Sequence, residues 1–161
     1  MVCEKKCIKS QTIHQLSNAI RLEFFNYIKE YKVANRIFVS YNFNDREISR
    51  SIKSFTQSYG GPVRGNFLFV ENDVSAYGDT AIDKEIKEVM SGCDSAFFVI
   101  GNNNHNSPWI NREVVLAMSK GLKIVVSRFP NTNGGVPSQL RNIPYTEVQW
   151  IPSNIAKELN K

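Results

Sequence analysis

The chain has 161 residues, 42% of them hydrophobic and 22% charged, with 20 Lys and Arg against 15 Asp and Glu for a formal net charge of +5. That length fits one domain with a short appendage, and the composition suits a real core under an ordinary charged surface. The basic surplus favours anionic partners such as nucleotides and phosphates, or is simply a lysine-rich solvated surface, and no segment has the ~18 consecutive apolar residues that a membrane span needs.

The opening, Met1 to Cys7, is polar and has no signal-peptide apolar core. Three cysteines, Cys3, Cys7 and Cys93, make an odd number that suits a reducing compartment. A cytoplasmic protein is expected. Two histidines, His14 and His105, leave too few ligands for a zinc site, and no metal is expected. Cys93 reads as a small buried residue.

Residues 11–32 carry an amphipathic helix pattern, with Ile13, Leu16, Ile20, Phe24, Tyr27 and Tyr31 three and four apart. Phe25 and Ile28 widen the stripe. It reads as a helix packed on the main domain or as a partner surface, and residues 1–34 form an N-terminal helical extension to a domain over 35–161. Arg36 to Tyr41 is a β-branched and aromatic strand. Asn42 to Asp45 turns the chain, and Asn44 or Asp45 caps a helix with Ile48, Ile52 and Phe55 inward. Gly60-Gly61-Pro62 ends that unit, and Asn66 to Val70 is the second strand. After a polar loop, Glu71 to Asp79, a helix capped by Asp79 or Thr80 turns Ile82, Ile86, Val89 and Met90 inward.

Ser95 to Gly101 reads as a buried central strand. Ser107 then caps the next helix, with Pro108 at its first position, where no amide donor is needed. Trp109 and Glu113 lie four apart on one helical face. Gly121 ends the helix. Leu122 to Ser127 is the fourth strand, Phe129 to Pro137 a loop, Tyr145 to Trp150 an edge strand, and Ile151 to Asn160 a short helix capped by Ser153.

Strands alternating with helices predict an α/β fold: one flavodoxin-like three-layer domain with a parallel five-stranded sheet in the order 2-1-3-4-5, plus the added N-terminal amphipathic helix. Neither a G-x-G-x-x-G fingerprint nor a P-loop is present. Ligands bind such sheets at the carboxyl ends of the strands. Those ends carry Ser40-Tyr41-Asn42, Glu71-Asn72-Asp73 and Gly101 to His105, with Trp109 and Glu113 beside them. This polar rim with aromatic platforms suits a nucleotide, and helix starts near 45, 80 and 108 offer amides to phosphate.

Three segments in order resemble a TIR (Toll/interleukin-1 receptor-like) domain, nearest to bacterial TIR-like proteins of the Thoeris antiphage defence type. Arg36 to Asp45 is similar to the family's first strand and loop, with Phe38, Ser40, Tyr41 and Asp45 in its pattern. Ser95 to Gly101 resembles the central strand, and Ser107-Pro108-Trp109-Ile110-Asn111-Arg112-Glu113 matches S-x-W-x-x-x-E. The likeness spans about residues 36–128. It departs at the acidic loop Glu71 to Asp79 and at His105-Asn106-Ser107-Pro108.

The resemblance implies an enzyme that cleaves NAD between nicotinamide and ribose. NAD is then the substrate and no cofactor is needed. The product is ADP-ribose or a cyclic isomer, a diffusible signal to a separate nucleotide-sensing effector. It further implies Glu113 as the catalytic carboxylate. On spacing alone Glu113 reads as a solvated glutamate paired with a cation; the family likeness reverses that. Tyr41 and Phe43 are candidates for base stacking or for packing, and Ser40 and Asn42 for bonds to ribose or phosphate. Asn102 either contacts substrate or shapes a turn. Arg46 is a phosphate candidate or a surface charge, His105 a phosphate contact or a capping histidine, and Trp109 a wall of the site or a core residue.

The rival function is a non-catalytic TIR-type module that self-associates through the same fold. A phosphoacceptor receiver domain needs an aspartate where Gly101-Asn102-Asn103 stands. A nucleoside deoxyribosyltransferase is chemically related. Nucleic acid is not an expected partner, because the basic residues are scattered.

Overall fold

The computed structural model describes residues 35–70, 75–104 and 107–161, apart from the side chains of Arg46 and Ser75. The helix expected over 11–32, the acidic positions Glu71 and Asp73, His105 and the Arg46 side chain therefore lie outside the described residues.

Five parallel strands form one sheet in the order β2-β1-β3-β4-β5. They are β1 (Asn35–Ser40), β2 (Gly65–Leu68), β3 (Ser95–Ile100), β4 (Lys123–Arg128) and β5 (Thr146–Val148). The connecting helices are α1 (Arg46–Lys53), α2 (Asp79–Val89), α3 (Pro108–Ser119) and α4 (Pro152–Leu159). This is the predicted α/β flavodoxin-like arrangement. The register sets Ser40 beside Phe98 and Ile100 beside Arg128.

Strand alternation sorts the core into two halves. Phe38, Ala96, Phe98, Ile100, Ile124 and Val126 meet Ile82 and Ile86 of α2 and Ile110, Val114 and Ala117 of α3. On the other face, Ile37, Val39, Phe97, Val99 and Val125 meet Ile48 and Ile52 of α1 and Ile155, Ala156 and Leu159 of α4. Every residue of β3 is buried, as expected for a central strand covered on both sides. Trp150 packs at the second face, 5.1 Å from the Phe55 ring and 5.0 Å from that of Phe129.

Helix starts differ from expectation at two places. Gly78, not Asp79 or Thr80, occupies the position before α2, and Asp79 is its first helical residue. Asp79 instead bonds Arg112, a charged partner that outcompetes a neutral amide. Ser153 lies inside α4, which starts at Pro152 after Ile151; proline's fixed φ begins the helix one residue early. A 3-10 turn at Ser138–Asn142 was also unforeseen, and it buries Leu140 in the α2/α3 half of the core. Among the described residues, no helix is long and apolar enough to cross a membrane.

Candidate active site

The site grows from the start of α3. Ser107 caps it, its hydroxyl oxygen accepting the Ile110 amide at 3.3 Å, and Pro108 occupies the first helical position. The buried stripe of this helix is Ile110, Val114 and Ala117, at the i, i+4, i+7 spacing of a core face. Glu113 falls in the same stripe and is only 9% exposed. A carboxyl group placed among apolar side chains is costly unless it is hydrogen-bonded.

Its partner comes from β1. Ser40 shares a strand face with Phe38, so it points toward α2 and α3. The Ser40 hydroxyl donates to Glu113 Oε2 at 2.5 Å across 73 residues of sequence. Burial pushes the Glu113 carboxyl up to about 7, while the bond from Ser40 pulls it down. Among the described residues Glu113 forms no ion pair, so it is not the solvated, cation-paired glutamate that spacing alone suggests.

Around this pair the loops at the carboxyl edge are tied to one another. Asn42 donates its side-chain amide to the Asn103 carbonyl at 2.8 Å and accepts the Asn44 amide at 3.0 Å. Asn103 in turn donates to Asp45 Oδ1 at 2.9 Å. Asn102 Oδ1 accepts the Asn133 amide at 3.0 Å. Asn104, fully buried, accepts the Gly101 amide at 2.6 Å and donates to the Val99 carbonyl at 2.9 Å. A side chain on Gly134 would collide with the Gly101 carbonyl oxygen.

The remaining candidates divide. Tyr41 is half-buried and meets Phe69 edge-on, with ring centroids 6.1 Å apart. Phe43 is 76% exposed at the rim. Trp109, half-buried, packs against the α2/α3 half of the core. Thus Ser40 and Glu113 come together, Asn42 and Asn102 stitch loops, and Trp109 joins the packing. Glu113 lines neither of two surface hollows. One, of about 270 Å³, lies between α2, α3 and Gln139; the other, of about 230 Å³, lies along β2 beside Lys53 and Tyr59.

A model of the TIR-like domain of the Thoeris protein ThsB matches residues 38–134, more than half of the chain. The chain belongs to this family. No curated protein matches the chain. Membership carries a role in antiphage defence at the level of the family. The matched span runs from Phe38 in β1 to Gly134 beyond β4, so it contains Ser40, Glu113 and all the stitched loops of this Thoeris TIR-like domain.

Sequence reading missed three parts of the site. The asparagine run after β3 holds Asn104, whose role as a buried clip had no signal beyond turn-forming composition. Arg112 bridges Asp79 at 2.9 Å and Asp83 at 3.0 Å; these residues lie on separate helices, which pattern alone does not pair. Asn111 Oδ1 accepts from the Ser138 hydroxyl at 3.2 Å and the Gln139 amide at 3.1 Å, a contact that depends on the unforeseen 3-10 turn.

Proposed function

We propose that this Thoeris TIR-like domain cleaves NAD at the bond between nicotinamide and ribose, with Glu113 as the catalytic carboxylate. One observation carries the reading: an acidic side chain is buried in the apolar stripe of α3 at the carboxyl end of β1, the edge where such sheets bind ligands.

The chemistry suits one carboxylate. The C1′–N bond breaks with its electron pair passing to the pyridinium nitrogen, so nicotinamide leaves neutral and needs no acid. Positive charge then grows on the ribose ring. An ionised carboxylate held in a poorly hydrated place stabilises that charge more strongly than one in water. Capture by water, with loss of a proton, yields ADP-ribose; capture by a nucleophile of the same molecule yields a cyclic isomer. Either product is small and diffusible and would act on a separate nucleotide-sensing effector. In this reading Phe43, exposed at the rim, would border a base, and the loops that Asn42 and Asn102 stitch would form the rim; Tyr41 packs against the α1/α4 half of the core and would serve it from behind.

Mass spectrometry of products after incubation with NAD tests this, with wild type beside Glu113→Gln and Glu113→Ala. Wild type should release nicotinamide, and both variants should fold yet lose at least 100-fold in rate, the scale of removing one electrostatic stabiliser. Intact NAD at high wild-type concentration, with and without extract from phage-infected cells, would overturn the enzyme reading and leave a TIR-type interaction module.

A further inference from the structure

We propose that Ser40 is a positioning residue: its hydroxyl holds the Glu113 carboxylate in the orientation used for cleavage and does not itself contact substrate. This rests on the reading of Glu113 as the catalytic group. Three observations support it. Ser40 is 2% exposed, which leaves no surface for a ribose or phosphate oxygen. Its single hydroxyl proton is directed to Glu113 Oε2. Its place at the end of β1 is fixed by parallel pairing to β3, with Ser40 beside Phe98, so the donor is mounted on a strand of the sheet and not on a loop.

The hydroxyl has no rival for this role among the described residues. The elements packed around Glu113 present Phe38, Phe98, Ile82 and Ile110 in the same core half. On α2 and α3, Asp79 and Asp83 pair with Arg112 and Lys84 with Glu88, Lys87 is exposed and Glu85 half-buried, and Arg36 on β1 is exposed; on β4, Lys123 pairs with Glu158 and Arg128 donates to the Gly134 carbonyl. Arg141 is exposed. A donor to the ionised form favours ionisation, so Ser40 works against the burial that raises the carboxyl pKa.

The test uses the full chain as wild type, Ser40→Ala and Ser40→Thr. Carbon-13 NMR follows the Glu113 carboxyl, assigned by its absence in Glu113→Gln. In Ser40→Ala the titration midpoint should move up by about one pH unit, the scale of one lost charge-assisted bond. The acid limb of the kcat profile should move with it, so that kcat below the midpoint falls about tenfold while KM stays within about twofold. Ser40→Thr, which keeps a hydroxyl on a strand-favouring side chain, should restore both. An unmoved carboxyl titration in folded Ser40→Ala, or a raised KM with kcat retained, would overturn the proposal. The NMR titration does not depend on turnover. A wild type that leaves NAD intact would defeat the enzyme reading alone, and the carboxyl shift would still show whether Ser40 holds Glu113.

Discussion

Arg112 and Glu113 are adjacent in α3 yet occupy opposite environments. Arg112 reaches out to Asp79 and Asp83 on α2, while Glu113 turns inward to Ser40. Consecutive helical residues point about 100° apart, so Asn111, Arg112 and Glu113 fan toward three different elements: the 138–142 turn, α2 and β1. The first half of α3 is thereby held on three sides, and the carboxyl group inherits that placement.

The outward clamp and the inward carboxyl should be separable. The Arg112 guanidinium holds the Asp79 carboxyl below its usual range through a hydrogen bond and its charge. In Arg112→Gln the Asp79 titration should rise toward the ordinary carboxylate value, while the Glu113 midpoint stays near 7. A depressed carboxylate stabilises the fold above its unfolded pKa and loses that contribution as pH falls through the folded one. Wild type and Arg112→Gln should therefore differ in thermal stability near neutral pH and converge in acid. Because the pair is exposed, the difference should shrink in 1 M salt. Thermal melts across pH, with NMR titration of Asp79, check this.

Glu113 should give the opposite pH dependence. Its folded midpoint, about 7, lies above the 4.5 of a free glutamate, so the folded state keeps a proton that the unfolded state has lost. That contribution is complete below pH 4.5 and disappears as pH rises through 7. The two midpoints together amount to on the order of 3 kcal/mol of stability lost between pH 4 and 8. Glu113→Gln, neutral at every pH, should flatten this slope and be the more stable protein at pH 8. Urea unfolding of both proteins at pH 5 and pH 8 measures the difference; parallel pH dependences would place the carboxyl in water.

Much of this architecture was legible because each local signal agrees with the fold. The β-branched and aromatic run of β1, the continuous apolar run of β3 and the Ser107-Pro108 start of α3 each have one physical reading, and each is observed. The place of Glu113 beside the strand ends was legible from helix spacing, but its burial was not, since Ile110, Val114 and Ala117 define the stripe without saying that a carboxyl shares it; a catalytic role for it is implied by the family likeness alone. Ser40 was legible as a polar residue at a strand end. Its partner was not, because meeting Glu113 requires knowing that β1 lies beside β3 and beneath α3. Hidden entirely were the contacts between loops, Asn103 with Asp45 and Asn102 with Asn133, since turn composition fixes a loop's shape and not its neighbours.

Asn104 should be a stability residue. Its side chain closes the loop after β3 by satisfying the Gly101 amide and the Val99 carbonyl, both out of water. Asn104→Ala should cost about 2–4 kcal/mol, because two buried polar groups are left unmatched. Asn104→Asp, nearly the same size, should be no better: an ionised carboxylate cannot donate to the Val99 carbonyl and would be buried without a counter-charge. Denaturant midpoints of the two variants provide the check, and a loss under 0.5 kcal/mol in Asn104→Ala would mean that water replaces the amide freely.

Two glycine substitutions should separate backbone strain from collision. Gly121 follows α3 with φ at 67°, and an added Cβ there meets open space; Gly121→Ala should cost only about 1 kcal/mol, the penalty of a left-handed alanine. Gly134 is different. An added Cβ would lie 1.8 Å from the Gly101 carbonyl oxygen and 2.9 Å from its carbonyl carbon, both backbone atoms that cannot rotate away. The same segment offers its carbonyl to Arg128 Nη1 at 2.5 Å, so retreat of Gly134 would also break that bond. Gly134→Ala should therefore cost about 3 kcal/mol or more and displace the loop that borders the carboxyl end of β3. The stability loss should be accompanied by lost NAD turnover, whereas Gly121→Ala should keep wild-type turnover. Paired thermal melts and activity measurements decide the matter: equal stabilities for the two variants would mean that the 131–134 segment stands away from Gly101 in solution.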